Sequence, residues 1–154
     1  MDRVKCEIRE AGEQDRSMLV LLAEETLHPL ADGAGHPERY HAADIVDLLG
    51  RARAFVAVCA DEPAGFVALE TEEDALAVRC ICVNPGFEAR GVANQLLDWA
   101  EGLAIDGKLA RLRAYVPAAD APSLHLYHGH GFSAAGPAEG DVVALEKRLP
   151  TLED

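Results

Sequence analysis

Val83-Asn84-Pro85-Gly86-Phe87-Glu88-Ala89-Arg90-Gly91-Val92-Ala93 is the stretch that decides the fold. Just before it, residues 75–83 (ALAVRCICV) are apolar and strand-like. After it, Val92, Leu96, Leu97, Ala100 and Leu103 recur at helical spacing, which predicts a helix from Gly91 to about Ile105. A strand that turns through glycine into a helix leaves several backbone N–H groups without partners. The helix dipole adds partial positive charge at the same place. Such a corner is a phosphate cradle. Gly91 lets the backbone approach an anion, and the small Ala93 does not crowd it. The spacing is neither a Walker loop nor a dinucleotide fingerprint, so it selects a phosphate-bearing ligand without naming it.

Working outward, residues 4–10 read as a first strand. Residues 13–27 carry Met18, Leu21 and Leu22 at helical spacing. His28 to Pro37 holds two prolines and two glycines and predicts a loop. Helical pattern resumes near Glu38 and stops near Gly50. Phe55–Ala60 and Phe66–Thr71 form a hairpin around Asp61-Glu62-Pro63, with Gly65 just beyond the turn. Glu72-Glu73-Asp74 reads as a solvated acidic turn before the next strand. Gly107 stands where a C-cap glycine belongs. Leu109–Val116 is a strand, and Ala121–His128 a short helix with Pro122 in its first turn. Strands at Gly131-Phe132 and Val142–Leu149 finish the sheet. The order β-α-α-β-β-β-α-β-α-β-β predicts an α/β domain with a central mixed sheet flanked by helices.

Composition narrows the function. The 154 residues are 49% hydrophobic and suffice for one domain with its own core. Lys and Arg number 14 against 27 Asp and Glu, a net charge of −13. That excludes an electrostatic nucleic-acid binder and a polybasic membrane anchor. No apolar run approaches the roughly 20 residues of a spanning helix. Met1-Asp2-Arg3 opens without a secretory signal pattern, which predicts a cytoplasmic protein. In that compartment Cys6, Cys59, Cys80 and Cys82 are expected as free thiols in apolar strands. Cys80 and Cys82 share one strand face, but no Cys or His spacing completes a zinc site, so no metal is expected. His125, His128 and His130 read as solvated helix-end residues. His28, His36 and His41 flank the Pro/Gly loop.

The Val-x-Pro-x-x-x-x-x-Gly-x-Ala pattern, followed by Leu96-Leu97, resembles the acetyl-CoA loop of the GNAT superfamily of N-acetyltransferases. A second block, Asp120-Ala121-Pro122-Ser123-Leu124-His125-Leu126-Tyr127-His128-Gly129-His130-Gly131-Phe132, is similar to the family's Asn-x-x-Ala-x-x-x-Tyr-x-x-x-Gly-Phe. Ile8-Arg9-Glu10-Ala11 and Val143–Lys147 resemble its first and last strands, so the likeness covers residues 1–154 as a single GNAT-like domain. It implies acetyl-CoA as cosubstrate. Ile81, Cys82 and Val83 would orient the pantetheine arm and polarise the thioester carbonyl. Glu88, Ala89, Arg90, Gly91, Val92, Ala93 and Asn94 would form the pyrophosphate loop, and Asp120 and Ser123 would add contacts from the second block. Two residues depart from the pattern. Glu88 replaces the usual Gln or Arg and is expected to point into solvent. Asp120 replaces Asn; it still caps a helix but cannot donate a hydrogen bond.

The implied chemistry is direct attack of an acceptor amine on the thioester. Tyr127 matches the family's general acid for the leaving thiolate. A phenol of pKa about 10 protonating a thiolate of about 8.5 is uphill by roughly 2 kcal/mol, so hydrogen-bond stabilisation dominates over full transfer. No acid lies within residues 75–83 or 109–116, and Glu70 is the nearest carboxylate for a base. The resemblance also carries over a homodimer.

Charge divides unevenly: residues 1–77 hold 17 acids and 7 bases, a net of −10, and residues 78–154 hold 10 and 7, a net of −3. In the family the first half faces the acceptor, which implies a cationic one. The competing reading is a non-catalytic acyl-CoA-binding or sensing module on the same fold.

Overall fold

β-branched and small apolar residues dominate the strands, and the sheet they build has two dry faces. In the computed structural model, residues 4–23, 42–88, 90–135 and 142–150 are described. The His28–Pro37 loop, the start of the second helix, Ala89, and His28, His36 and His41 lie outside them. The strands are β1 (Glu7–Glu10), β2 (Arg53–Cys59), β3 (Glu62–Glu72), β4 (Ala75–Val83), β5 (Arg111–Pro117), β6 (Ser133–Ala134) and β7 (Val142–Arg148). The helices are α1 (residues 16–23), α2 (Ala42–Arg51), α3 (Val92–Asp106) and α4 (Ala121–Gly129). Their chain order is the one expected from the sequence. The seven strands form one mixed sheet in the order β1-β2-β3-β4-β5-β7-β6, in which β4 and β5 are parallel.

α1 and α2 cover one face. Leu19, Leu22 and Ala23 of α1 and Leu48 and Leu49 of α2 pack on Val56, Phe66, Ala68, Cys80 and Cys82. The buried stripe of α1 is therefore Leu19-Leu22-Ala23, whereas Leu21 of the expected stripe is 59% exposed. α3 covers the other face through Val92, Leu96, Leu97, Ala100 and Ala104, and Tyr127 of α4 joins that core.

The turns differ from expectation in instructive ways. The β2–β3 turn is Ala60-Asp61, both at positive φ (53° and 65°), with Cys59 opposite Glu62. Two left-handed residues suit the right-handed twist of a hairpin, but Asn-Gly usually marks them. Gly65 serves another purpose: a Cβ there would lie 2.5 Å from the Cys82 carbonyl oxygen. At the end of α3, Gly107 caps with an ordinary φ of −83°, and Lys108 takes the left-handed position at φ 60°.

The expectation of four free thiols is corrected. Cys6 and Cys59 form a disulfide with a Cα separation of 4.5 Å. The register explains it. Glu7 pairs with Val58, so the next pair of the antiparallel ladder sets Cys6 against Cys59. A Cα spacing of about 4.5 Å suits a non-hydrogen-bonded pair and lies within disulfide range. Cys80 and Cys82 are free and buried, their sulfurs 3.5 Å apart. The Cys82 thiol, together with burial, pushes the Cys80 thiol up well above its ordinary pKa.

Candidate active site

The site begins with one extra residue. Ala68 of β3 pairs with Cys80, but Leu69 pairs with Val78, so Arg79 bulges from β4. Leu76 and Val78 before the bulge and Ile81 and Val83 after it face α3; Cys80 and Cys82 face α1 and α2. On the other side of β4, pairing with β5 runs only from Ala75–Arg111 to Val78–Ala114. Beyond that point the two parallel strands part. Residues 80–83 keep their β3 partners through Val83–Gly65 and turn an unpaired backbone edge toward β5. A parted parallel pair offers N–H and C=O groups to an extended ligand, as a missing strand would.

The phosphate cradle sits at the top of this gap. Asn84 accepts from the Gly86 N–H and shapes the Pro85–Phe87 turn. Gly91 then adopts φ 83°, a left-handed conformation that only glycine takes freely, and caps α3. The first intrahelical bond is Gln95 N–H to Gly91 C=O at 3.1 Å, so earlier N–H groups of the first turn have no intrahelical acceptor. Arg90 stacks near the Phe87 ring at 6.0 Å, and its Nε is buried with no hydrogen-bond partner. An orphaned buried donor beside a helix N-terminus fits a pyrophosphate. Glu88 is exposed, in keeping with a carboxylate directed at solvent. Ala93 and Asn94 are half-buried in the first turn of α3.

α4 supplies the other residues of the second block. Asp120 is 4% exposed, and its carboxylate accepts from the Ser123 N–H at 3.1 Å, so it is occupied as the α4 cap. Tyr127 is buried, with its ring edge-on to Phe132 at 5.0 Å, in the core that faces α3. His125 and His128 are exposed as expected. His130 is not: its side chain is 8% exposed and its Nε2 lies 2.8 Å from Asp98.

The α1/α2 face carries a charged network beside the fork. Glu70, opposite Ala77, binds Arg79 at 2.8 Å and Arg51 at 3.3 Å. Glu72 accepts from Arg79, from Arg113 at 2.6 Å and from the Tyr115 hydroxyl. Arg113 also donates to Glu146 at 2.7 Å. Burial opposes ionisation of Glu72, but the bonds from Tyr115 and Arg113 and the charges of Arg79 and Arg113 outweigh it and hold the carboxyl below its usual range. Glu72 is thus no solvated turn residue. Sequence reading missed Arg79, Arg113 and Tyr115 because their partners lie on other strands. Alternation alone marks them: Arg111, Arg113 and Tyr115 are the polar positions of an otherwise apolar strand. A separate cavity of about 480 Å³ opens between Arg51, Arg53 and Glu70 and the last turn of α3 at Leu103 and Gly107. It does not include the Gly91 loop. Among the described residues, no cluster of three metal-ligating side chains occurs.

A sequence model of the acetyltransferase (GNAT) family matches residues 18–132. No curated protein is similar at a significant level. Among solved structures, the PaiA N-acetyltransferase from Thermoplasma acidophilum in complex with coenzyme A has a TM-score of 0.79 at 18% identity, with 94% of this chain and 99% of that chain covered. The ribosomal-protein-S18-alanine N-acetyltransferase from Escherichia coli has a TM-score of 0.76 at 16% identity, covering 96% of each. A nourseothricin acetyltransferase is 26% identical over 65% of this chain and 66% of its own, with a TM-score of 0.59. The fork, the left-handed glycine above it and a family match over most of the sequence agree, and the chain belongs to the acetyltransferase (GNAT) family.

Proposed function

We propose that this protein is an acetyl-CoA-dependent N-acetyltransferase, a single domain over residues 1–154, acting on a cationic primary amine by direct attack. The observation that carries the reading is the parting of β4 and β5 beneath the Gly91 helix start. The Gly91, Val92 and Ala93 N–H groups and Arg90 would hold the pyrophosphate. The exposed edge at residues 81–83 would pair with the pantetheine amides and donate to the thioester oxygen. The acetyl-CoA assignment draws support from the coenzyme A complex of the Thermoplasma relative.

Tyr127 would donate a hydrogen bond to the departing thiolate sulfur. Its burial against Phe132 fixes the ring, as a positioned acid requires. Glu70 is the proposed base. Its ion pairs with Arg79 and Arg51 mean that a proton from the amine must displace a guanidinium, so a water between amine and carboxylate is the natural route. The cationic acceptor rests on the net of −10 in residues 1–77. Among the described residues, no helix is long and apolar enough to cross a membrane, and the proposed location is the cytoplasm.

Two measurements test the reading. Acetyl-CoA and CoA should each raise the melting temperature; a ligand at 100 times its Kd stabilises by about 2.7 kcal/mol. Thiol release across amines, peptides and aminoglycosides should then find a cationic acceptor whose KM rises with salt. Coenzyme binding without turnover on any amine would favour the sensing module. A best acceptor that is neutral or anionic would remove the cationic assignment.

A further inference from the structure

The backbone of residues 4–6, just ahead of β1, is paired with no strand on the side that faces the Gly91 loop. A side chain takes that place. Gln95, in the first turns of α3, donates from Nε2 to the Val4 C=O at 2.6 Å and accepts at Oε1 from the Cys6 N–H at 3.0 Å. Those two backbone groups are two residues apart on one edge. A neighbouring strand would satisfy both with a single residue, and the Gln95 amide does the same. Nε2 also approaches the Gly91 C=O at 3.4 Å. The Val4 N–H completes the clamp by donating to the Arg90 C=O at 3.1 Å.

This arrangement bears on the coenzyme loop through peptide geometry. In a trans peptide the C=O and N–H of one unit point in opposite directions. The Arg90 C=O is fixed toward Val4, so the Gly91 N–H of the same unit is fixed away from it. Gly91 is the residue at φ 83°, and glycine is otherwise free to leave that conformation. The clamp therefore removes the freedom that would let the Gly91 N–H swing off an anion. The clamp is in turn anchored: Cys6, which donates to Gln95, is bonded to Cys59 at the end of β2. β1 is a four-residue, mostly exposed edge strand and holds this segment weakly by itself.

We propose that Gln95 is a positioning residue for the coenzyme loop, and that the Cys6–Cys59 bond sets how firmly it acts. The proposal rests on the coenzyme-site reading above. Reduction is a two-electron step: a dithiol reductant gives two electrons and two protons, the S–S bond breaks into the Cys6 and Cys59 thiols, and the reductant becomes a disulfide. The N-terminal segment then keeps only its hydrogen bonds, and the Gly91 N–H is less well ordered. A disulfide in a reducing compartment is of the redox-responsive kind.

The test is CoA affinity by calorimetry on the full chain, oxidised and after dithiothreitol. Oxidised wild type should bind CoA about five-fold or more tightly than reduced wild type. The Cys6→Ser/Cys59→Ser variant should match the reduced protein. Gln95→Ala should weaken binding by a similar factor and make it insensitive to reduction, with the KM for acetyl-CoA rising more than kcat falls. A second readout needs no ligand: Gln95→Ala should speed amide exchange at Val4 and Cys6 while β3 and β4 stay protected. Equal affinity in both redox states overturns the disulfide's part, and equal affinity of Gln95→Ala and wild type overturns the positioning role. If oxidised wild type binds no CoA while the exchange pattern holds, the clamp exists and the coenzyme reading is what fails.

Discussion

Tyr115 on β5 donates its hydroxyl to the Glu72 carboxylate on β3, reaching over the intervening strand β4. Tyr115 is the first β5 residue past the last paired one, Ala114, so the bond spans the base of the fork. Arg79, the bulged residue, lies between them with its guanidinium 5.5 Å from the Tyr115 ring. Removing the hydroxyl leaves a half-buried carboxylate short of one donor. Tyr115→Phe should cost about 1–2 kcal/mol at pH 7. Glu72 has a lowered folded pKa, so its contribution exists above its unfolded pKa of about 4.3 and fades as pH falls through the folded value. The cost should therefore shrink in urea titrations near pH 3.5. An equal cost at both pH values would mean that Tyr115 does not act through the ionised carboxylate.

Asp15 offers a sharper acid limb. The Arg9 guanidinium and the Gly12 N–H hold its carboxyl at about 2. The shift is downward, so the stability it confers is complete above pH about 4 and is lost between about 4 and 2. Asp15→Asn should lose about 1–2 kcal/mol at pH 7, the low side reflecting solvent screening at half-exposed Arg9. Wild type and variant should converge by pH 2. Parallel curves down to that pH would refute the assignment.

Gly65→Ala should be costly although alanine suits strands better. Its methyl would meet the Cys82 carbonyl at 2.5 Å and the Val83 Cα at 3.2 Å, both backbone. We expect about 1–3 kcal/mol in denaturant unfolding, the scale of overpacking. A stability equal to wild type would show that β3 and β4 can separate there.

Tyr127→Phe should keep the ring contact with Phe132 and remove the proposed acid. Thiol release should fall by about 100-fold or more, with CoA affinity within about two-fold. A rate unchanged from wild type would take Tyr127 out of the chemistry.

Glu88→Gln should leave CoA affinity within about two-fold, because an exposed carboxylate is screened at physiological salt. A much tighter variant would place the carboxylate against the phosphates.

Much of this was legible in the chain itself. The order of strands and helices follows from alternation and helical spacing, and the Gly91 corner follows from one glycine between a strand and a helix. What escaped was set by partners distant in sequence. Cys6 and Cys59 are separated by 53 residues, and only the β1–β2 register brings them together. Glu72 read as a solvated turn residue because Tyr115 and Arg113 lie on another strand. Gln95 goes unmarked in the sequence, because nothing local reveals a backbone edge 89 residues away. The left-handed Ala60-Asp61 turn escaped because alanine gives no sign of positive φ and aspartate gives only a weak one.

Arg79 has a consequence beyond the charges it meets. Side-chain direction along a strand has only two phases, and a bulge takes up one extra residue without advancing the phase. Were Arg79 instead a regular paired residue, strict alternation would point Cys80 and Cys82 toward α3, and Ile81 and Val83 toward α1 and α2. Which residues line each wall of the gap is thus a matter of parity. Deleting residue 79 would remove the bulge and leave Cys80 and Ile81 facing the walls they already face.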